Sequence, residues 1–110
     1  MPTVYKYSQV QGTASTGTYS TLYTTPSATE AVISSLVITN QASSSVTVRI
    51  GMDDTAGTPG ASEFLVYDAV VAGNDTVALT LGVTMPASKF IRISSSANTC
   101  NFSAFLSEIS

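Results

Sequence analysis

The chain alternates apolar and polar residues over short segments, and clusters of Gly, Pro, Asn and Ser separate one segment from the next. Alternation with a period of two is typical of half-buried β-strands, and no segment shows a convincing helical period of about 3.6. The pattern therefore predicts eight strands and no helix. The predicted strands are Thr3–Val10, Thr18–Thr25, Glu30–Gln41, Val46–Met52, Glu63–Val71, Asp75–Met85, Ser88–Ser96 and Thr99–Ile109.

The segment Glu30–Gln41 carries apolar residues on both of its faces, which predicts a central strand or one packed on both sides. Strict alternation assigns Val32, Leu36 and Ile38 to one face, and Ile33, Val37 and Thr39 to the other.

The stretch AGNDTVALTLGVTM, residues 72–85, joins a polar corner to an apolar strand. Gly73 and Asn74 favour a turn because both residue types tolerate a positive φ. The strand that follows is expected to direct one set of side chains into the core, namely Val77, Leu79, Leu81 and Val83. Asn74 and Asp75 are therefore interpreted as the turn that begins a strand, not as a ligand site.

Eight such strands indicate an all-β fold, a single-domain antiparallel β-sandwich. The length of 110 residues fits one domain. A jelly roll and an immunoglobulin-like sandwich both agree with this number of strands, and their spacing does not choose between them.

The composition argues against a nucleic-acid partner and against a membrane partner. Charged residues make up 10% of the chain, the net charge is −3, and 17 serines and 16 threonines supply most of the polarity. The only cations are Lys6, Arg49, Lys89 and Arg92, so no basic patch exists for binding phosphates. No apolar run is long enough for a transmembrane helix, and no secretory signal is expected at the N-terminus. A neutral, threonine-rich surface instead favours association with other subunits.

The residues that most enzymes and metal sites need are scarce. The chain has no histidine and a single cysteine, Cys100, which lies in an apolar-alternating run and is expected to be a buried small hydrophobe. This excludes a Ser-His triad and a zinc site, and we predict no enzymatic activity, no cofactor and no metal. Asp53 and Asp54 are interpreted as the start of a solvated loop, and the glycosylation patterns at Asn74 and Asn101 as chance matches.

Tyrosines and arginines are the candidate contact residues. Tyrosine rings bury area at subunit contacts while their hydroxyls remain wet, and arginine forms bidentate pairs with carboxylates. We expect Arg49 or Arg92 to pair with an acidic group across a subunit boundary. The predicted subunit or partner contacts are Tyr5, Tyr7, Tyr19, Tyr23, Arg49 and Arg92. An alternative is a carbohydrate-binding module, in which tyrosine rings and the loop Asp53–Ser62 would form the site.

Two long stretches carry a resemblance to a known class of protein. The first is STLYTTPSATEAVISSLVITNQASSSVTVRIGM, and the second is FLVYDAVVAGNDTVALTLGVTMPAS followed by KFIRISSSANTCNFSAFLSEIS. Together they resemble the small β-rich structural proteins of tailed bacteriophage virions, of the capsid decoration (cement) type. The resemblance covers residues 18–110, which are expected to form the β-sandwich domain. Residues 1–17 are expected to form an N-terminal arm or first strand that contacts a neighbouring subunit.

This resemblance implies a non-enzymatic virion protein that is made in the host cytoplasm. Its expected partners are copies of itself, in a homotrimer, and the major capsid protein or another virion protein, and its expected role is to stabilise the phage head. A tail, baseplate or fibre component is the alternative location in the particle.

Overall fold

The computed structural model describes residues 3–110, apart from the side chain of Leu81. Within this part of the chain there are eight β-strands and no helix, which confirms the predicted all-β class. The strands are β1 (Thr3–Gln11), β2 (Ser20–Thr24), β3 (Glu30–Asn40), β4 (Val46–Asp53), β5 (Phe64–Val71), β6 (Thr76–Met85), β7 (Phe90–Ser95) and β8 (Cys100–Ile109). None of the described residues belongs to a helix with the length and hydropathy that a membrane crossing requires.

The strands form two four-stranded sheets that pack face to face. The first sheet has the order β1-β8-β3-β6, and the second sheet has the order β2-β7-β4-β5. All neighbouring strands are antiparallel. Strands 1 and 8, 2 and 7, 3 and 6, and 4 and 5 are therefore paired, which is the jelly-roll arrangement of eight strands. The topology decides between the two sandwiches that the sequence left open.

The core lies between the two sheets and consists of inward-facing side chains from both. The first sheet contributes Ile33, Leu36, Ile38 and Phe102, and the second contributes Val48, Ile50, Ile91 and Ile93, all at most 2% exposed. Cys100 is also fully buried, as the sequence predicts, and burial raises the pKa of its thiol. A thiol of this kind is inert because little of it is present as thiolate.

The facing predicted for β3 is wrong in its first half. Ile33 and Leu36 are both buried on the core side, although strict alternation puts them on opposite faces. In the pairing with β8, a register shift between Ile33 and Ser35 marks a bulge at Ser34, whose hydroxyl donates to the Phe105 carbonyl at 2.8 Å. A bulge inserts one residue and so reverses the alternation beyond it. Val32 and Val37 consequently share the outer face of the first sheet.

Alternation in β6 follows the prediction. Val77, Leu79 and Val83 pack against the core, whereas Thr76, Ala78 and Thr80 are exposed. The side chain of Leu81 lies outside the described part of the structure. In the corner that precedes β6, Asn74 has a φ of 56°, which confirms the predicted turn. A Cβ on Gly73 would lie 2.1 Å from the Ser43 carbonyl oxygen, so glycine is needed there for close approach.

Asn40 joins three turns at this end of the sandwich. Its side chain is 1% exposed. Its amide nitrogen donates to the carbonyls of Ser44, Val71 and Ala72, at 2.9, 3.2 and 3.2 Å. Its amide oxygen accepts from the main-chain N–H of Ala42 and the hydroxyl of Thr99, both at 3.1 Å. The β3–β4, β5–β6 and β7–β8 turns are thereby held together by one buried side chain.

Candidate functional site

The six predicted contact residues lie in three places. Tyr5 and Tyr7 are on the outer face of the first sheet, and Tyr23 reaches from β2 to Glu108 of β8. The other three residues converge on the outer face of the second sheet, although they are far apart in sequence. These are Tyr19, Arg49 and Arg92.

The outer face of the second sheet holds a cavity of about 640 Å³. Its walls are the rings of Tyr19, Phe64 and Tyr67, with Arg49 between them. The loop between β4 and β5 closes one side with Thr58, Pro59 and Ala61. These seven residues are called the aromatic groove below.

A bulge in β5 builds the centre of this groove. Between the partner pairs Val48–Ala69 and Ile50–Val66, β4 has only Arg49, whereas β5 has both Tyr67 and Asp68. Asp68 has a φ of 55°, a left-handed conformation that aspartate adopts more readily than most residues. The extra residue re-aims the side chains, so that two consecutive residues of β5 both reach Arg49.

Arg49 is bound on several sides by its own chain. Its Nε donates to Asp68 Oδ1 at 2.6 Å, and its Nη2 donates to Asp68 Oδ2 at 3.2 Å. Its Nη1 donates to the Tyr19 hydroxyl at 3.3 Å, and the guanidinium carbon lies 4.1 Å from the centroid of the Tyr67 ring. These hydrogen bonds lower the pKa of Asp68 and raise that of Arg49, so both groups stay ionised and their charges balance. An ion pair between Arg49 and an acidic group of another subunit would have to compete with the ion pair that Arg49 already forms with Asp68.

The loop wall is fixed by a glycine and an arginine. Pro59 is buried against Gly51 of β4, where a Cβ would lie 2.7 Å from the proline ring. Arg92 donates to the Gly57 carbonyl at 2.9 Å and to the Tyr19 carbonyl at 3.1 Å, which links both sides of the groove. Lys89 pairs with Asp54 at the base of the loop. The groove is therefore a preformed surface feature of the fold.

The Asp53–Asp54 pair does not simply begin a solvated loop. Asp53 is the last residue of β4 and is only 7% exposed, whereas Asp54 is exposed. Among the described residues, no three His, Cys, Asp or Glu side chains are grouped in a way that could hold a metal ion.

The outer face of the first sheet is almost uncharged. Tyr5 and Tyr7 are 84% and 69% exposed, and Phe105, the cross-strand partner of Tyr7, is 41% exposed. The β3 bulge adds Val32 and Val37 to the same face. Among the described residues of this face, only Glu30 at its border is charged. The five aromatic and aliphatic residues are called the tyrosine face below.

Tyr23, Glu108 and Lys6 form a cluster that joins three strands. The Tyr23 hydroxyl donates to Glu108 at 2.5 Å, and Lys6 Nζ lies 3.0 Å from the other carboxylate oxygen. Burial and the neighbouring carboxylate raise the pKa of Tyr23 above its usual value of 10. Hydrogen bonds from Tyr23 and then Lys6 hold the pKa of Glu108 below its usual value of 4.5. The cluster ties β1 and β2, from opposite sheets, to β8.

This cluster predicts a pH dependence of stability. The folded-state pKa of Glu108 is lower than its unfolded value of 4.5, so its ionised form stabilises the fold at higher pH. That stabilisation is lost as the pH falls through the lower, folded-state pKa. We expect the melting temperature of the wild type to drop more steeply below pH 4.5 than that of Glu108→Gln. Thermal melts at a series of pH values measure the difference, and Glu30→Gln, at an exposed position, should retain the wild-type slope.

Two residues of this region were not predicted from the sequence. Phe64 forms a wall of the groove, and Asp68 is the ion-pair partner of Arg49. The available signal was Asp68 itself, an acidic residue inside the otherwise apolar strand FLVYDAVV, because aspartate adopts a left-handed conformation more readily than most residues.

Comparisons with known proteins concern the fold. No protein-family model matches the chain, and no curated protein matches its sequence. A chain in the acid-stable capsid structure of the Helicobacter pylori bacteriophage KHP30 superimposes with a TM-score of 0.56 at 12% identity, over 98% of this chain and 93% of that chain. A chain in the capsid asymmetric unit of cyanophage Pam1 gives 0.53 at 17% identity, over 98% and 85%.

A third match covers only part of the matched chain. A chain in the structure of infectious bursal disease virus, Gx strain, gives a TM-score of 0.53 at 11% identity, over 97% of this chain and 31% of that chain. All three comparisons show that this jelly roll is a fold that viral structures share.

Proposed function

We propose that the protein is a non-enzymatic structural component of a bacteriophage virion, bound to the capsid as a decoration (cement) protein. The observation that carries the proposal is the jelly roll shared over nearly the whole chain with chains in two phage capsid structures. Those matches also cover 93% and 85% of the matched chains, so the shared fold makes up most of each of those chains as well. A fold alone does not define a function, so the surfaces must support the proposal as well.

The tyrosine face supports a role in assembly. Cores of protein interfaces are enriched in aromatic residues and depleted of charge, and this face has both properties. Its occupant is proposed to be another copy of the same chain, in a closed homotrimer, because homo-oligomers commonly have closed symmetry. Residues 1–17 would contribute through Tyr5 and Tyr7, and the assembled ring would bind the major capsid protein.

Mass spectrometry of purified virions tests the location. Heads and tails of the phage that encodes this chain are separated and their proteins are quantified. The proposal requires the protein in the head fraction, in many copies per particle. Recovery in the tail fraction alone would establish the tail, baseplate or fibre alternative, and absence from both would end the virion proposal.

Sedimentation of tyrosine-face variants tests the assembly surface. We expect the wild type to sediment as a trimer and Tyr5→Ser/Tyr7→Ser to have at least about tenfold weaker self-association, since aromatic anchors dominate interface energies. Val70→Ser is the matched control, because Val70 is 64% exposed on the second sheet. A double variant that associates as strongly as the wild type would assign the contact to a different surface.

A further inference from the structure

We propose that the aromatic groove binds a neutral saccharide. The groove lies on the second sheet and shares no residue with the tyrosine face, so a site here goes beyond a structural role. Its volume of about 640 Å³ falls within the range of small-molecule sites, about 300–1,000 Å³.

Charge balance in the groove selects a neutral ligand. Each guanidinium nitrogen of Arg49 already donates to an acceptor of its own chain, in Asp68, Tyr19 or the Thr16 carbonyl. An anion would therefore find few free donors. A cation would find a carboxylate that is already neutralised in a bidentate ion pair. For neither kind of ion would the contacts in the groove offset the free energy that is lost when the ion gives up its hydration.

Hydrogen-bonding capacity selects a ligand that is rich in donors. An ionised carboxylate has about four acceptor sites, and Arg49 occupies one on each oxygen of Asp68. Asp68 lies beside the groove, next to Arg49 and Tyr67, and its side chain is 45% exposed, so a ligand can reach it from solvent. Saccharide hydroxyls are donors that these sites can accept. A polyproline peptide has carbonyl acceptors and no N–H donors, so it would need donors instead, and the groove has few to offer.

The three rings provide the apolar contact that a sugar needs. The Phe64 and Tyr67 rings meet edge to face, with centroids 4.9 Å apart, and Tyr19 lies 6.2 Å from Phe64 at an interplanar angle of 45°. Such a corner presents ring surface in more than one orientation. A sugar ring combines a face of C–H groups with hydroxyls at its edge, so it can contact the rings and Asp68 together.

The groove is also held in shape before a ligand arrives. The β5 bulge fixes Tyr67 and Asp68, the Pro59–Gly51 contact fixes the loop, and Arg92 links the loop to the Tyr19 backbone. Preorganisation of this kind reduces the entropy lost on binding.

An array of immobilised neutral, sialylated and sulfated oligosaccharides tests the proposal, followed by NMR titration of the full chain with the best neutral trisaccharide. We expect binding to neutral glycans and shifts in the amides of β5 and the β4–β5 loop. Tyr67→Ala, at a position that is 58% exposed, should weaken binding at least about tenfold without loss of fold. Tyr67→Phe, which keeps the ring, should retain most of the affinity.

Asp68→Asn gives a sharper result. It removes one charge of the pair and leaves Arg49 unbalanced, so affinity for neutral glycans should fall and sulfated or sialylated glycans should begin to bind. Tyr7→Ser, on the opposite sheet, should bind glycans like the wild type even if it fails to assemble, so the two proposals fail separately. Lack of binding to every neutral glycan, or equal binding by Tyr67→Ala, would overturn the proposal. Preferential capture of a decaproline peptide in the groove would assign it to peptides instead.

Discussion

Replacing Asn40 with alanine is expected to lower the free energy of unfolding by about 3–5 kcal/mol. The substitution removes five hydrogen bonds from a side chain that is 1% exposed, and it leaves their partners in three turns unsatisfied. A buried polar group without a partner costs about 1–3 kcal/mol, and only those partners that water can reach would recover part of it. Urea unfolding followed by circular dichroism measures the change.

Two companion variants identify the cause. Asn40→Asp keeps the shape but replaces the donor that serves three carbonyls with an oxygen. Its carboxylate would face carbonyl oxygens, so its pKa should rise in the folded state and the variant should become more stable as the pH falls. Asn98→Ala, at an exposed position, should stay within about 0.5 kcal/mol of the wild type. An Asn40→Ala protein with nearly wild-type stability would show that the three turns close without this side chain.

Removal of residues 1–11 is expected to prevent folding to a soluble monomer. In the structure β1 pairs with β8 at nine positions, and Ser8 donates from β1 to the Leu22 carbonyl of the other sheet. Without β1, the edge of β8 is uncovered, Val10 no longer packs on the core, and Glu108 loses Lys6. Small domains have only about 5–15 kcal/mol of stability, which the loss of an edge strand can exhaust. An uncovered strand edge also favours aggregation.

Circular dichroism and size-exclusion chromatography of the truncated chain check this outcome. Tyr5→Ser/Tyr7→Ser is the matched control, because it removes the exposed rings of β1 and keeps its main-chain hydrogen bonds. We expect the control to fold and the truncated chain to aggregate. A folded, monomeric truncation would instead show that residues 12–110 are self-sufficient, and it would favour an N-terminal segment that exchanges between subunits.

Alternation predicted the eight strands because most of them bury one face, and burial of every second residue leaves a period of two in the sequence. Alternation could not distinguish a jelly roll from an immunoglobulin-like sandwich. That distinction depends on which strands pair, and pairs such as β1 with β8 lie at opposite ends of the chain. Bulges were the other difficulty. One residue inserted at Ser34 relative to β8 reversed the facing of half of β3, and strict alternation does not allow for such an insertion.

The groove was predictable only in part. Tyr19, Arg49 and Arg92 were chosen for their residue types, and the alternative of tyrosine rings beside the loop Asp53–Ser62 named part of the same region. Their convergence could not be predicted, because it requires the order of β2, β7, β4 and β5 in the second sheet. Tyr67 and Asp68 meet Arg49 only because of a bulge, and its position depends on pairing with β4.

The arrangement of the two outer faces has a consequence for avidity. A subunit that uses the outer face of its first sheet for contacts within the trimer leaves its second sheet, and with it the groove, on the outside of the trimer. Many copies on one particle would then present many identical shallow sites to a glycan-covered surface at the same time. Linked weak sites can raise the overall affinity by about 10²–10⁴ without any new contact. An individual groove could therefore bind its sugar weakly and release it quickly, while the particle as a whole stays attached.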